Sequence, residues 1–224
     1  MEDETAASKF YSQISDCVRE ATRTLKQDGV LGAQSLTGDG GRRVCFELEA
    51  FCVFLLSHAM LHSGHDQRSW AEVCGECVTT LEFEYGDLAE GVTLESVAES
   101  RFDAYGKVSQ KAIASGNAGS QPIGWASVLA RFLAAAELHP LTQSPPIVVR
   151  DLVVDARAKM VVAEVVGRLI VPNTYAKWKR LFERHKSLRG ISAARLAEMM
   201  NEPARSGFFW RMISKLSGPR GGKR

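Results

Sequence analysis

VCFELEAFCVFLLSHAMLH, residues 44–62, is apolar nearly all the way round a helical wheel. Phe46, Leu48, Phe51, Phe54, Leu55 and Leu61 do not fall on one stripe, as they would in a surface helix that keeps a polar face to water; a helix enclosed by others reads this way. The stretch sets the expected fold: an all-α helical bundle with this helix, predicted from Val44 to about His62, at its centre. The longest strictly apolar run, Ala50 to Leu56, falls well short of the about 20 residues that a membrane-spanning helix needs. Met160 to Val171 is interrupted by Glu164 and Arg168, so no membrane insertion is expected.

Helical periodicity continues on both sides. Upstream, Phe10, Ile14, Cys17, Val18, Ala21 and Leu25 recur at spacings of three and four and predict a helix that ends before Gly29, ahead of a glycine-rich loop from Gly32 to Gly41. Downstream, Ser69 and Glu72 fit a Ser-x-x-Glu capping box, followed by the stripe Trp70, Val73, Cys74, Cys77, Val78 and Leu81. Thr93 is placed to cap a fourth helix with the inner face Leu94, Val97, Phe102, Tyr105, Val108 and Ile113, ended by Gly116 to Pro122. Trp125, Val128, Leu129, Phe132, Leu133 and Ala136 mark a fifth, closed by Pro140, and HPLTQSPP reads as a linker or a tight crossing.

Beyond it the valine-rich run Val148 to Val171 opens like a strand, but the stripe Leu152, Ala156, Met160, Ala163, Val166 and Ile170 favours a helix stopped by Pro172. Thr174 then caps a helix with Tyr175, Trp178, Leu181, Phe182 and His185 on one side. Two short helices, about Ser192 to Met200 and Gly207 to Leu216, precede a GPRGGKR tail.

The net charge of +2 conceals a division. Residues 1–149 carry 11 Lys+Arg against 20 Asp+Glu, whereas residues 150–224 carry 17 against 6. The organisation expected is an acidic bundle over 1–140 and a basic helical region over 148–224, with a segment similar to a helix-turn-helix at 191–216. That segment's turn is longer than usual, and its second helix opens on Phe208, Phe209 and Trp210 where polar base-reading residues are expected. Sign asymmetry of this kind suggests a basic surface meeting nucleic acid, an anionic membrane or an acidic protein, and it also allows the two halves to attract each other. The acidic MEDETAASKF start lacks the features of a secretory signal, so a cytoplasmic or other intracellular location is expected. Five cysteines, an odd count, are then read as thiols.

Three groups of residues offer chemistry. In the basic region, Lys177, Lys179, Arg180, Arg184, Lys186 and Arg189 are interleaved with Tyr175, Trp178 and Phe182, and Arg211 and Lys215 follow. Cations at this density neutralise phosphates, and aromatic faces stack on unpaired bases; the plain alternative is a solvated helix whose aromatics are core. The second group is His58, His62, His65, Cys74 and Cys77, a ligand set of the kind zinc takes, although eight residues between His65 and Cys74 are fewer than finger-like sites use. Trp-x3-Cys-Gly-Glu-Cys also superficially resembles the dithiol of the all-helical alkylhydroperoxidase family, but Thr80 and Leu81 stand where that family's histidine falls, and buried structural thiols are the plainer reading. The third is Gly38-Asp39-Gly40-Gly41-Arg42-Arg43, a glycine-rich helix start able to hold a phosphate, with a flexible connector as its plain alternative.

The function expected is a non-enzymatic binding protein, without metal or cofactor, whose basic half contacts nucleic acid in a regulatory or packaging role while the N-terminal half supports self-association into a homo-oligomer or a partner. The contacts expected are Lys177, Lys179, Arg180, Arg184, Lys186, Arg189, Arg211 and Lys215, acting on phosphates. The alternatives are a helical adaptor that docks acidic proteins, and a zinc- or thiol-dependent enzyme centred on His58, His62, His65, Cys74 and Cys77.

Overall fold

The computed structural model describes residues 5–31, 38–143, 156–185, 187–188 and 191–201, and the described secondary structure is helical, with no β-strand. Helices α1 (Ala6–Gln27), α2 (Gly38–His62), α3 (Gln67–Tyr85), α4 (Leu94–Ala114) and α5 (Gln121–Leu138) form the bundle. Beyond it lie α6 (Ala156–Val165), α7 (Tyr175–Arg184) and α8 (Ala193–Asn201).

Helix α2 is the axis, in contact with α1, α3, α4, α5 and α7. By length and composition it is apolar enough to cross a membrane, but 83% of that window is buried inside the bundle, so its apolar surface is satisfied by the other helices. It starts at Gly38, six residues before the expected Val44, so the glycine run is its first turn and not a loop. The arginines that follow are already engaged. Arg42 grips Asp87 at 2.6 and 2.7 Å and donates to the Glu84 carbonyl, and Arg43 Nε donates to the Ala136 carbonyl at 2.8 Å. The phosphate reading of this segment is thereby corrected, because both guanidiniums tie α2 to its neighbours.

The caps follow chain chemistry with one shift in position. Thr5 accepts from the Ser8 N–H and Thr93 from the Ser96 N–H, each satisfying an amide that the helix leaves unpaired. At α3 the cap is Asp66, which accepts from the Ser69 N–H at 2.9 Å, and not Ser69. Asp66 serves because a carboxylate three residues earlier meets the same amide and also the positive end of the helix. Glu72, free of the expected box, pairs with Arg68 at 2.9 Å.

The expected inner faces of α1 and α5 are largely those observed, with Phe10, Ile14, Val18, Leu25, Trp125, Leu129 and Leu133 buried. On α4 the face is rotated: Ala98 and Arg101 point inward while Ile113 is 53% exposed. On α6 and the turn that continues it the buried stripe is Val162, Val165, Val166 and Ile170, and Met160 faces out.

Pro172 does not stop the helix. Val166–Ile170 forms a π-helical turn that runs directly into the single turn Val171–Asn173, with Pro172 at its start. The widened turn relieves the clash between a proline ring and the preceding turn of backbone. The break comes at Thr174, whose hydroxyl donates back to the Ile170 carbonyl at 2.6 Å instead of capping α7.

Candidate functional site

Helix α7 carries the densest group of expected contacts, and the core positions it. Trp178 and Phe182 are fully buried. Phe10 meets Trp178 edge-on with ring centroids 5.9 Å apart, and Phe182 lies 5.7 Å from Phe10 and 5.1 Å from His65. The Trp178 indole N–H donates to Gln13 Oε1 at 3.1 Å, and the amide of Gln13 reaches Met200 Sδ at 3.3 Å, so one α1 side chain anchors both α7 and α8. Trp178 and Phe182 are therefore core residues and offer no face to an unpaired base. Tyr175, half-buried, has His58 at 5.6 Å and the Lys179 ammonium 6.0 Å from its ring centroid.

Burying that apolar face fixes which way the cations point. Lys177, Arg180 and Arg184, at spacings of three and four, share one side of α7 away from Trp178 and Phe182. Arg180 and Arg184 are exposed and Lys177 half-buried, and among the described residues no carboxylate lies within ion-pair distance of any of the three. Lys179 sits on the other flank, 3.9 Å from Glu183. Arg168 pairs with Glu164 and Arg195 with Glu198, each at 2.8 Å. Of the other expected contacts, Lys186, Arg189, Arg211 and Lys215 lie outside the described residues, as does the second helix of the helix-turn-helix-like segment.

The histidines and cysteines do not converge, and among the described residues no three His, Cys, Asp or Glu side chains come together to hold a metal. His58 and His62 meet edge-on with ring centroids 4.1 Å apart, and His58 also packs edge-on against Trp125, at the α5 and α7 side of α2. Burial, with His62 and Lys179 nearby, pulls the His58 imidazole down to about 4, so it is neutral at pH 7. Cys77 faces α1, its sulfur 4.0 Å from the Ala7 carbonyl. Burial pushes the Cys74 thiol up to about 12 and Cys77 upward as well, the opposite of what a nucleophilic or metal-bound thiolate requires. The side chains of the zinc- or thiol-enzyme alternative do not meet in one site: His58 and His62 lie together toward α5 and α7, whereas Cys77 faces α1.

No family model, curated protein or solved structure matches the chain. The site therefore rests on its own geometry.

Two buried polar clusters went unread in the sequence. Glu47, 1% exposed, receives a forked contact from Arg101, with Nε at 3.0 and 3.1 Å and Nη2 at 2.8 Å; Arg101 Nη1 also donates to the Thr142 carbonyl, and the guanidinium lies 4.2 Å from the Phe132 ring centroid. Glu49, 5% exposed, meets the Tyr11 hydroxyl at 2.5 Å, and Glu84 lies 3.1 Å from the same oxygen. Burial, reinforced by Glu84, raises the Glu49 carboxyl to about 7 against the hydrogen bonds that favour its charge. The signal was present: two carboxylates inside an otherwise apolar helix require partners. Those partners stand 54 and 38 positions away, too far for periodicity to reveal.

Proposed function

We propose that this chain is a non-enzymatic helical protein that binds nucleic acid through its phosphates, in a regulatory or packaging role, with the acidic bundle as its rigid support and its surface for self-association or a partner. The observation that carries the reading is the Lys177, Arg180 and Arg184 stripe: three cations with no ion pair among the described residues, on a helix locked by Trp178 and Phe182. Cations not already neutralised by the protein's own carboxylates release counterions from a polyanion when they bind it. Because the aromatics of α7 are core, the contact is to backbone phosphates and carries little base selectivity. Lys179 within the stripe's span and Lys186, Arg189, Arg211 and Lys215 after it add to the positive charge in sequence.

The test is fluorescence-anisotropy titration of labelled single-stranded RNA and duplex DNA with full-length protein. Point variants serve better than a truncation, because removing α7 would open the core at Phe10. Submicromolar binding near physiological salt that weakens at least tenfold in Lys177→Ala/Arg180→Ala/Arg184→Ala, with helicity unchanged, supports the proposal. Absence of binding to both polymers refutes it and turns the search to acidic protein partners.

A further inference from the structure

Between α3 and α4, over Ser57 of α2, runs a groove of about 530 Å³ that no part of the described chain occupies. Trp70, Val78 and Phe102 give it an apolar floor, with the Trp70 indole held by a 3.0 Å hydrogen bond to Ser57. Its rim is acidic. Glu82 stands on the α3 side and Glu95 and Glu99, one turn apart, on the α4 side; all three are exposed, with no cation in ion-pair distance among the described residues. Carboxylates above aromatic rings suit arginine and lysine, whose stems lie along apolar surface while the charged head pairs with acid or stacks on a ring.

Gly75 opens the α3 wall to something larger than a single side chain. It lies in the middle of α3, exposed and lining the groove, and a Cβ built on it would meet no atom within 4 Å. Glycine weakens a helix interior relative to alanine, and no contact among the described residues requires it here. Close approach of another backbone would.

Helix α7 carries the matching surface. Lys177, Arg180 and Arg184 have no carboxylate partner among the described residues, and Arg180 and Arg184 stand four positions apart, as Glu95 and Glu99 do on α4. With those two pairs in register along the groove, Lys177 falls toward Glu82, because α3 ends and α4 begins at the same end of it. The stripe cannot enter the groove of its own chain. Trp178 and Phe182 lock α7 into the core, Tyr175 faces His58 of α2 and the stripe lies on the far flank, whereas the groove opens over Ser57, about 100° round α2 from His58. The occupant that fits is a second copy.

We propose that the α3–α4 groove of one copy receives α7 of another, with Arg180 and Arg184 paired to Glu95 and Glu99, their stems over the apolar floor, and Lys177 toward Glu82. Groove and stripe are different surfaces, so the contact is head-to-tail. It deepens the self-association named above and needs no nucleic acid. One consequence does rest on the phosphate reading: a polyanion and the groove compete for the same three cations.

The test is sedimentation velocity on nucleic-acid-free, full-length protein over a range of concentrations at low salt. The wild type should associate. Glu95→Lys/Glu99→Lys makes the groove basic and Lys177→Glu/Arg180→Glu/Arg184→Glu makes the stripe acidic; each alone sets like charges face to face and should weaken association at least tenfold. An equimolar mixture of the two should regain it, since each supplies the surface that the other lacks. Gly75→Leu, which keeps every charge and favours the helix, should weaken association at least fivefold by filling the groove. All three are checked for wild-type helicity by circular dichroism. A monomeric wild type, association unchanged in any of the three variants, or a mixture that stays monomeric would each overturn the docking, whatever the outcome of the nucleic-acid titrations, which alone decide the phosphate reading.

Discussion

Glu49 makes the fold sensitive to pH. The carboxyl is enclosed by Tyr11 of α1, Glu84 and Tyr85 of α3 and Cys45 of its own helix, with no cation among the groups that shift it. With one proton on Glu49 the network closes: the acid donates to the Tyr11 oxygen and the Tyr11 hydroxyl donates to Glu84. Without it, two carboxylates face one hydroxyl. A carboxyl raised in the folded chain keeps its proton where the unfolded chain has released it, so stability falls as pH climbs from 4.5 toward 7 and is level above that. At 1.36 kcal/mol per pH unit this loss is about 3 kcal/mol.

Glu49→Gln preserves the shape and abolishes the titration. In urea unfolding at pH 5 and pH 8, the variant should match the wild type within about 1 kcal/mol at pH 5 and exceed it by about 2–3 kcal/mol at pH 8. The comparison cancels other titrating groups, since both proteins share them. An equal difference between the two proteins at both pH values, or a wild type that gains on the variant as pH rises, would refute the reasoning.

Other expectations concern packing and burial. Arg101→Met leaves Glu47 buried and unpaired and should lower the unfolding free energy by about 3–5 kcal/mol, while Glu47→Leu/Arg101→Met recovers most of it, as read in urea melts of both. Gly124→Ala should destabilise by about 1–3 kcal/mol despite the better helix former, because the new Cβ would stand 2.5 Å from Val108 Cγ1; adding Val108→Ala should restore the melting temperature.

The centre of the fold was legible because α2 is apolar on every side, as a helix enclosed by others is. Helix ends were less so. The Ser69 and Glu72 pattern matched a capping box, but Asp66 competed for the same amide and won, and Pro172 sits in a continuous helical path because a π-turn makes room for it. The candidate site was half visible. The cations of α7 could be counted, but which were already paired depends on Glu183 and on which side the core takes. The interleaved aromatics suggested stacking, yet Phe10, some 170 positions upstream, claims them for the core. The groove between α3 and α4 has no linear signature, since its walls come from three helices.

The most direct test of the central claim is the salt dependence of duplex DNA binding by the wild type and by Lys177→Ala/Arg180→Ala/Arg184→Ala. Each lost phosphate contact removes about 0.9 from the slope of log K against log salt, so the slope should become shallower by about 2.7 in the variant. Parallel lines for the two proteins, at whatever affinity, would contradict the assignment of this stripe to phosphates.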